Sequence, residues 1–366
     1  MAPQVTQVKQ ANGILTFTMS GVNVSMVNAL RRTLIAEIPA IIFRTTPYEK
    51  NDATFHKNTT RFNNEILKQR LSCIPVHITD DLSQEELAEY EVEINKKNDG
   101  GDIVMVTTED FRIKHKGKFL SAAANKKIFP PNPITNDYIL FARLRPKISE
   151  DVPGEELHIN AKLSIGAAKE NSSFNLVSTC SYAMTPDKTK QYDEWTRVKK
   201  DFETKAGIDS ETAHKNWLLH DGKRVVVDDS FDFRLETIGV FPNKQLVQKA
   251  VGIINAKLAN IKRMISEQKI QINRSPTTMA NSFDIILENE GYTIGKILEF
   301  ILYDKYYVDG QTLSFLGFIK KHPHDSDGLL RLAFREAADH TQALDLLGEA
   351  ITEATQIFST IHHQFV

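Results

Sequence analysis

Cysteine is nearly absent: Cys73 and Cys180 are the only two among 366 residues. Two thiols are too few for a disulfide framework or a cysteine-ligated zinc centre, and they read as reduced structural thiols in an intracellular setting. No apolar run approaches the roughly 18 residues of a membrane span. Met1-Ala-Pro-Gln4 lacks the apolar core of a signal peptide. A dominant charge is missing too. Lys and Arg number 45 against 47 Asp and Glu, for a formal charge of −2. No global field therefore draws the chain to nucleic acid or anionic lipid. There is no P-loop, no Gly-x-Gly-x-x-Gly and no Gly-x-Ser-x-Gly. What remains, 41% hydrophobic and 25% charged, is ordinary for a globular chain with room for two or three domains.

The most ordered stretch present is Ser25-Met-Val-Asn-Ala-Leu-Arg-Arg-Thr-Leu-Ile35. Ser25 suits an N-cap. Met26, Val27, Leu30, Leu34 and Ile38 recur at helical spacing, and Pro39 stops the helix. The pattern occurs again at Thr293-Ile-Gly-Lys-Ile-Leu-Glu-Phe-Ile-Leu-Tyr303, where Ser25 aligns with Thr293, Met26 with Ile294, Leu30 with Leu298 and Leu34 with Leu302. Each copy follows a strand-like run, Ile14–Met19 and Phe283–Leu287. A second pair supports the first. Val247, Val251, Ile254, Leu258, Ile261 and Ile265 form one heptad seam, and Leu344, Leu347, Ile351, Ala354, Phe358, Ile361 and Phe365 form another. These long helices follow Phe231–Leu235 and Leu329–Phe334.

The chain thus reads as two half-modules, each strand, short helix, strand, long helix, able to bury their seams against each other as a pseudo-dimer within one polypeptide. The expected fold class is α+β, with a mainly β domain inserted in the first module. The expected boundaries are residues 1–40 with 226–266 for the first module and 41–225 for the insert. Residues 267–281, polar and containing Pro276, are expected to be a linker, with 282–366 as the second module. Within the insert, Asn63 caps a helix over 64–71, Asn98-Asp-Gly-Gly101 marks a turn, and 103–106, 111–113, 139–144 and 157–165 alternate as strands. The charged stretch 186–222 reads as helices near 192–205 and 210–220, and Pro242 begins the first long helix.

Catalytic chemistry is hard to find. His322-Pro-His324-Asp325 has metal-ligating residue types but no further ligands nearby, and reads as a turn into the following strand. Glu288 and Glu290 precede the second short helix, where carboxylates favour the positive end of the helix dipole. The basic runs Lys114–Lys118, Asn125–Lys127 and Lys199-Lys200 are short and have acidic neighbours, so they read as solvated faces. Arg31-Arg32 is the most suggestive polar pair, because two adjacent residues cannot both lie on the buried stripe and Arg is enriched at interface hot spots. Surface solvation and partner docking are both open readings of it.

Residues Val24–Pro39 resemble the first assembly helix of the alpha-like subunits of multisubunit RNA polymerases, whose asparagine-alanine-leucine-arginine-arginine pattern stands at Asn28–Arg32. Asn64–Pro75 is similar to the family's arginine-leucine then isoleucine-proline motif, and Phe233-Arg-Leu-Glu236-Thr-Ile-Gly239 to its returning strand. Residues 282–366 resemble the small partner, archaeal subunit L and its eukaryotic equivalents, through Glu290, Thr293 and Gly295 and the His322-Pro323 turn. Departures are the missing cysteine cluster of many relatives, Gly166-Ala-Ala-Lys-Glu170 in place of a glycine-rich basic segment, and Gly295-Lys296 in place of glycine-asparagine.

The resemblance implies a non-catalytic assembly platform for a DNA-directed RNA polymerase, and the residues themselves, with the cysteine cluster missing, lead to the expectation of no cofactor and no metal. Its implied partners are the two large polymerase subunits and small zinc-binding subunits. Nucleic acid would be met only through the complex, and neither a membrane nor a separate dimerisation partner is implied. Asn28, Arg31, Arg32 and Arg70 would dock the large subunits. Met26, Leu30, Leu34, Val247, Val251, Ile254, Leu258, Ile261, Leu298, Leu302, Leu347, Ile351 and Phe358 would form the dimer core. Carrying both partners in one polypeptide resembles fusions in large cytoplasmic DNA viruses, which implies the host cytoplasm and the virion as locations, or the nucleus for a cellular protein. A stand-alone interaction scaffold and a nucleic-acid-binding module are the rival readings.

Overall fold

The computed structural model describes residues 2–149, 151–206 and 209–366. The chain divides into two compact units. One comprises Met1–Leu34, Thr179–Glu236 and Asn243–Val366, and the other Ile35–Ser178 with Thr237–Pro242.

The first unit opens with a hairpin of β1 (Gln4–Ala11) and β2 (Ile14–Ser20). Asn12 and Gly13 join them with φ of +52° and +77°, the left-handed pair that a two-residue turn between twisted strands requires. Alternation along β2 turns Leu15, Phe17 and Met19 into the core. Helix α1 spans Val24–Ala36. Its cap is Asn23, whose Oδ1 accepts from the Ser25 N–H at 2.9 Å. This corrects the expectation for Ser25. That residue is already inside the first turn, and its buried hydroxyl has no hydrogen-bond partner among the described residues.

The second unit is mainly β. It holds β3 (Pro39–Ile42), β4 (Ala53–Asn58), α2 (Asn64–Ser72), α3 (Gln84–Leu87), β5 (Tyr90–Lys97), β6 (Val104–Thr107), β7 (Phe111–His115), β8 (Lys118–Phe119), α4 (Ala122–Ile128), β9 (Leu140–Leu144), β10 (Glu156–Lys162) and β11 (Ser164–Ala167). Strands β4-β10-β5-β7-β8 form one antiparallel sheet, and β11-β3 and β6-β9 form two-stranded ribbons. Asn63 caps α2 by accepting from the Ile66 N–H at 2.9 Å. The core is aromatic. Phe111 lies edge-on to Phe129 and to Phe141, each at 5.4 Å between ring centroids, within the preferred range for such pairs.

The chain returns through β12 (Val177–Pro186), the hairpin α5 (Lys188–Ala206) and α6 (Ser210–Leu219), and then β13 (Val226–Thr237). The helical hairpin has its own small core, Trp195 against Trp217 at 5.6 Å. The expected insert therefore extends too far. The compact second unit begins at Ile35 and leaves at Ser178, and the charged helices belong to the first unit.

Helix α7 (Asn243–Ser266) leads into β14 (Gln271–Arg274), β15 (Ser282–Leu287), α8 (Tyr292–Leu302), a π-helical turn over Tyr303–Asp309, β16 (Leu313–Ile319), β17 (Gly328–Phe334) and α9 (His340–His363). The segment expected as a linker thus contains a strand, because Gln271–Arg274 pairs with Phe283–Ile286 at the edge of the second sheet. Edge strands need only one paired side, so a polar sequence without alternation suffices there.

The two four-stranded sheets run β1-β2-β13-β12 and β14-β15-β17-β16. Each places its own first, second, fourth and third strands in that order. Each half has its short helix after the second strand and its long helix after the fourth. The repeat is therefore ββαββα, one strand longer at two points than the apolar pattern shows.

Candidate assembly interface of paired helices

Helices α7 and α9 pack along their seams. Val247, Val251, Ile254 and Leu258 on one, and Leu347, Ile351 and Phe358 on the other, are fully removed from water, and Ile261 is nearly so. Burying a Leu or Ile side chain contributes about 1.5–3 kcal/mol, so this seam is a principal source of the unit's stability. Polar contacts fix its register. Lys262 Nζ donates to Thr352 Oγ1 at 3.0 Å and Asn255 Nδ2 to Ser359 Oγ at 3.4 Å, while Lys257 turns instead to Glu290 at 3.4 Å. Glu290, a buried carboxylate beside the start of α8, thereby faces an ammonium on α7. Small residues carry part of the interface and are invisible to a count of large apolar positions: Ala250, Ala343, Ala350 and Ala354 are buried.

The C-terminus closes the seam. The Phe365 ring stands edge-on to Phe17 at 5.0 Å, and Phe17 stacks on Phe233 at 4.7 Å. Gln364 Nε2 donates to the Pro3 carbonyl at 3.0 Å. The last turn of the second half thus fills the core of the first.

The short helices meet as well. Met26, Leu30 and Leu34 of α1, and Leu298 and Leu302 of α8, are buried. Between the polar faces lies a groove of about 430 Å³, lined by Ser25, Asn28 and Arg32 on one side and Thr293, Lys296 and Glu299 on the other. Arg32 is exposed, and its Nε donates to Thr293 Oγ1 at 3.1 Å. Arg31 is half-buried and turns back along its own helix, with Nε and Nη2 on Asn28 Oδ1 at 3.0 and 2.9 Å. Val24 and Tyr292, equivalent positions of the two helices, are exposed at the groove mouth.

Arg70 lies on α2. In the second unit its Nε and Nη2 donate to the carbonyls of Phe141 and Leu140 at 2.8 and 2.6 Å. Gly239, with φ +108°, and Glu236 lie at the end of β13. Gly295 packs beneath the Phe318 ring so closely that a Cβ there would overlap it. His322-Pro323 forms a turn in which Asp325 accepts from the His322 N–H at 2.9 Å. Among the described residues no three metal-ligating side chains gather, and no helix is long and apolar enough to cross a membrane. Cys180 is buried on β12, where loss of water pushes its thiol up to about 12.

Paired sheet-and-helix modules joined by two long helices define a dimerisation fold. The family model for the RNA polymerase Rpb3/Rpb11 dimerisation domain matches residues 16–258, from β2 through most of α7, and the chain belongs to that family. Among its relatives is the DNA-directed RNA polymerases I and III subunit RPAC1 of Bos taurus, 26% identical over 290 residues, covering 66% of this chain and 79% of the relative. The DNA-directed RNA polymerase subunit Rpo3 of Pyrococcus horikoshii is 24% identical over 270 residues, covering 68% of this chain and 92% of the relative. Rpo3 of Archaeoglobus fulgidus is 20% identical, covering 73% of this chain and 99% of the relative.

Proposed function

We propose that the chain is a non-catalytic assembly platform of a DNA-directed RNA polymerase, in which one polypeptide fills both positions of the family's usual pair. The first half takes the alpha-like position and the second the subunit L-like position, paired through α7 and α9. The observation that carries this reading is the duplicated ββαββα topology, whose first copy the family match covers from β2 through most of α7 while the second repeats its strand order. The names of the relatives support the polymerase setting. Only four residues, 267–270, separate α7 from β14. So short a tether makes pairing intramolecular, at an effective concentration on the order of mM or above. On this reading the exposed edge of α1, with Asn28, Arg31 and Arg32, receives the large subunits, and small zinc-binding subunits complete the assembly. A viral origin and a host-cytoplasmic site of action accord with the fusion.

Affinity purification of the tagged chain from its source cells, followed by mass spectrometry, tests the proposal. Two much larger chains recovered in equal amount, with polymerase activity in the eluate, is the expected result. Recovery of the chain alone, or with small partners only, would make it a stand-alone scaffold.

A further inference from the structure

The second unit holds a cleft that the assembly reading does not use. Its volume is about 610 Å³, and Arg61, Arg70, Arg143 and Arg145 all line it. Phe141 and Ala142 lie beneath it and are buried in the core of the unit. Phe62 and Ile103 stand exposed at its sides. Arg143 is the outward residue of β9 between the buried Ala142 and Leu144, and Arg145 follows two positions on, so the strand's alternation sets two guanidiniums on its outer face.

The four arginines are not equivalent. Arg70 is committed to the Phe141 and Leu140 carbonyls, and its guanidinium lies over the Phe62 ring at 5.6 Å. Those carbonyls are closed to an added strand, so an occupant must be held by side chains. Arg145 shows what the rim accepts. Its Nε donates to Glu155 Oε1 at 2.6 Å, while its own backbone N–H donates to Glu155 Oε2 at 2.8 Å. Arg61 and Arg143 are exposed and form no ion pair among the described residues. Two unengaged forks, shaped for carboxylates, therefore stand beside the exposed apolar groups of Phe62 and Ile103.

We propose that this cleft binds an acidic segment of a protein partner carrying one aromatic or large aliphatic anchor. The anchor packs against Phe62 and Ile103, and carboxylates on either side of it engage Arg61 and Arg143. A nucleic acid backbone fits the cleft less well. It needs a basic stripe that follows successive phosphates, whereas here the charge rims one concavity with apolar groups at its sides. An aromatic or aliphatic contact beside arginine is instead the usual composition of a protein hot spot.

The test is fluorescence anisotropy of a short labelled peptide, alternating Glu and Ser around one central Phe, titrated with the full chain at low salt. The expected result is saturable binding that weakens as salt rises and falls about tenfold or more in Arg61→Glu/Arg143→Glu, the effect of losing one good contact. Arg61→Gln/Arg143→Gln should lose affinity in the same direction, and circular dichroism of both variants should match the parent. Replacing the peptide's Phe by Ala should weaken binding as well. No binding to the parent chain, equal binding to both folded variants, or indifference to the Phe would overturn the proposal. Tighter, rim-dependent binding of single-stranded DNA than of the peptide would overturn it in favour of nucleic acid. None of these arginines lies on α1 or α8, so either outcome leaves the assembly test untouched.

Discussion

Arg32 donates to Thr293 across 261 positions of sequence, at 3.1 Å. The two residues occupy the polar faces of the short helices of the two halves, and their bond spans the groove between those helices. Arg31, its neighbour, makes no such crossing and is folded onto Asn28. The adjacent arginines therefore differ: one ties the halves together, and the other is bonded along its own helix.

Arg32→Ala and Thr293→Ala should each cost little stability, because the pair is exposed. A double-mutant cycle by urea denaturation should show a coupling of about 0.5–1 kcal/mol. Arg31→Ala should leave the chain folded and reduce recovery of the large chains in the purification. Unfolding of Arg31→Ala would make that arginine structural and remove its docking role.

Leu258 is fully buried in the seam between α7 and α9. Leu258→Ala should cost about 2–5 kcal/mol. Leu258→Asp should cost more, since an unpaired carboxylate has no partner there. Thermal denaturation followed by circular dichroism reads both. A Leu258→Asp chain as stable as the parent would mean that the long helices do not pair as described.

Gly295 and Gly328 both face the Phe318 ring, which leaves no room for a Cβ at either position. Gly295→Ala should destabilise by about 1–3 kcal/mol through overpacking. Adding Phe318→Leu should recover part of that loss by making room. If the double variant is no better than the single one, the ring is not what excludes a side chain at Gly295.

Large apolar side chains at helical spacing made α1, α7, α8 and α9 legible in the sequence, and the same spacing revealed the repeat. What stayed hidden has physical causes. Strand β14, Gln271-Ile-Asn-Arg274, is an edge strand with little to bury, so it carries no alternation. The cap at Asn23 went unseen because Ser25 is an equally good capping residue, and only geometry decides which hydroxyl or amide meets a free N–H. The arginine cleft joins residues 61–70, 103 and 140–145. These are three segments that no local pattern links, and Arg70's commitment to backbone carbonyls depends on that tertiary placement.

Glu349 on α9 gives a pH test of the π-helical turn. Its carboxylate accepts from Lys305 Nζ at 2.7 Å and from the Tyr306 hydroxyl. The Lys305 hydrogen bond first, and the Tyr306 bond second, hold the Glu349 carboxyl below its ordinary value. A folded-state pKa below the unfolded one means the contribution is fully present above the unfolded value of about 4.3. It is lost as pH falls through the folded value. Glu349→Gln should therefore melt below the parent at neutral pH, by a small margin because the site is half exposed to solvent. That gap should narrow below the ordinary glutamate range and close under strongly acidic conditions. A gap that stays constant from neutral to acid would show that the charge on Glu349 does not hold Lys305 and Tyr306 against α9.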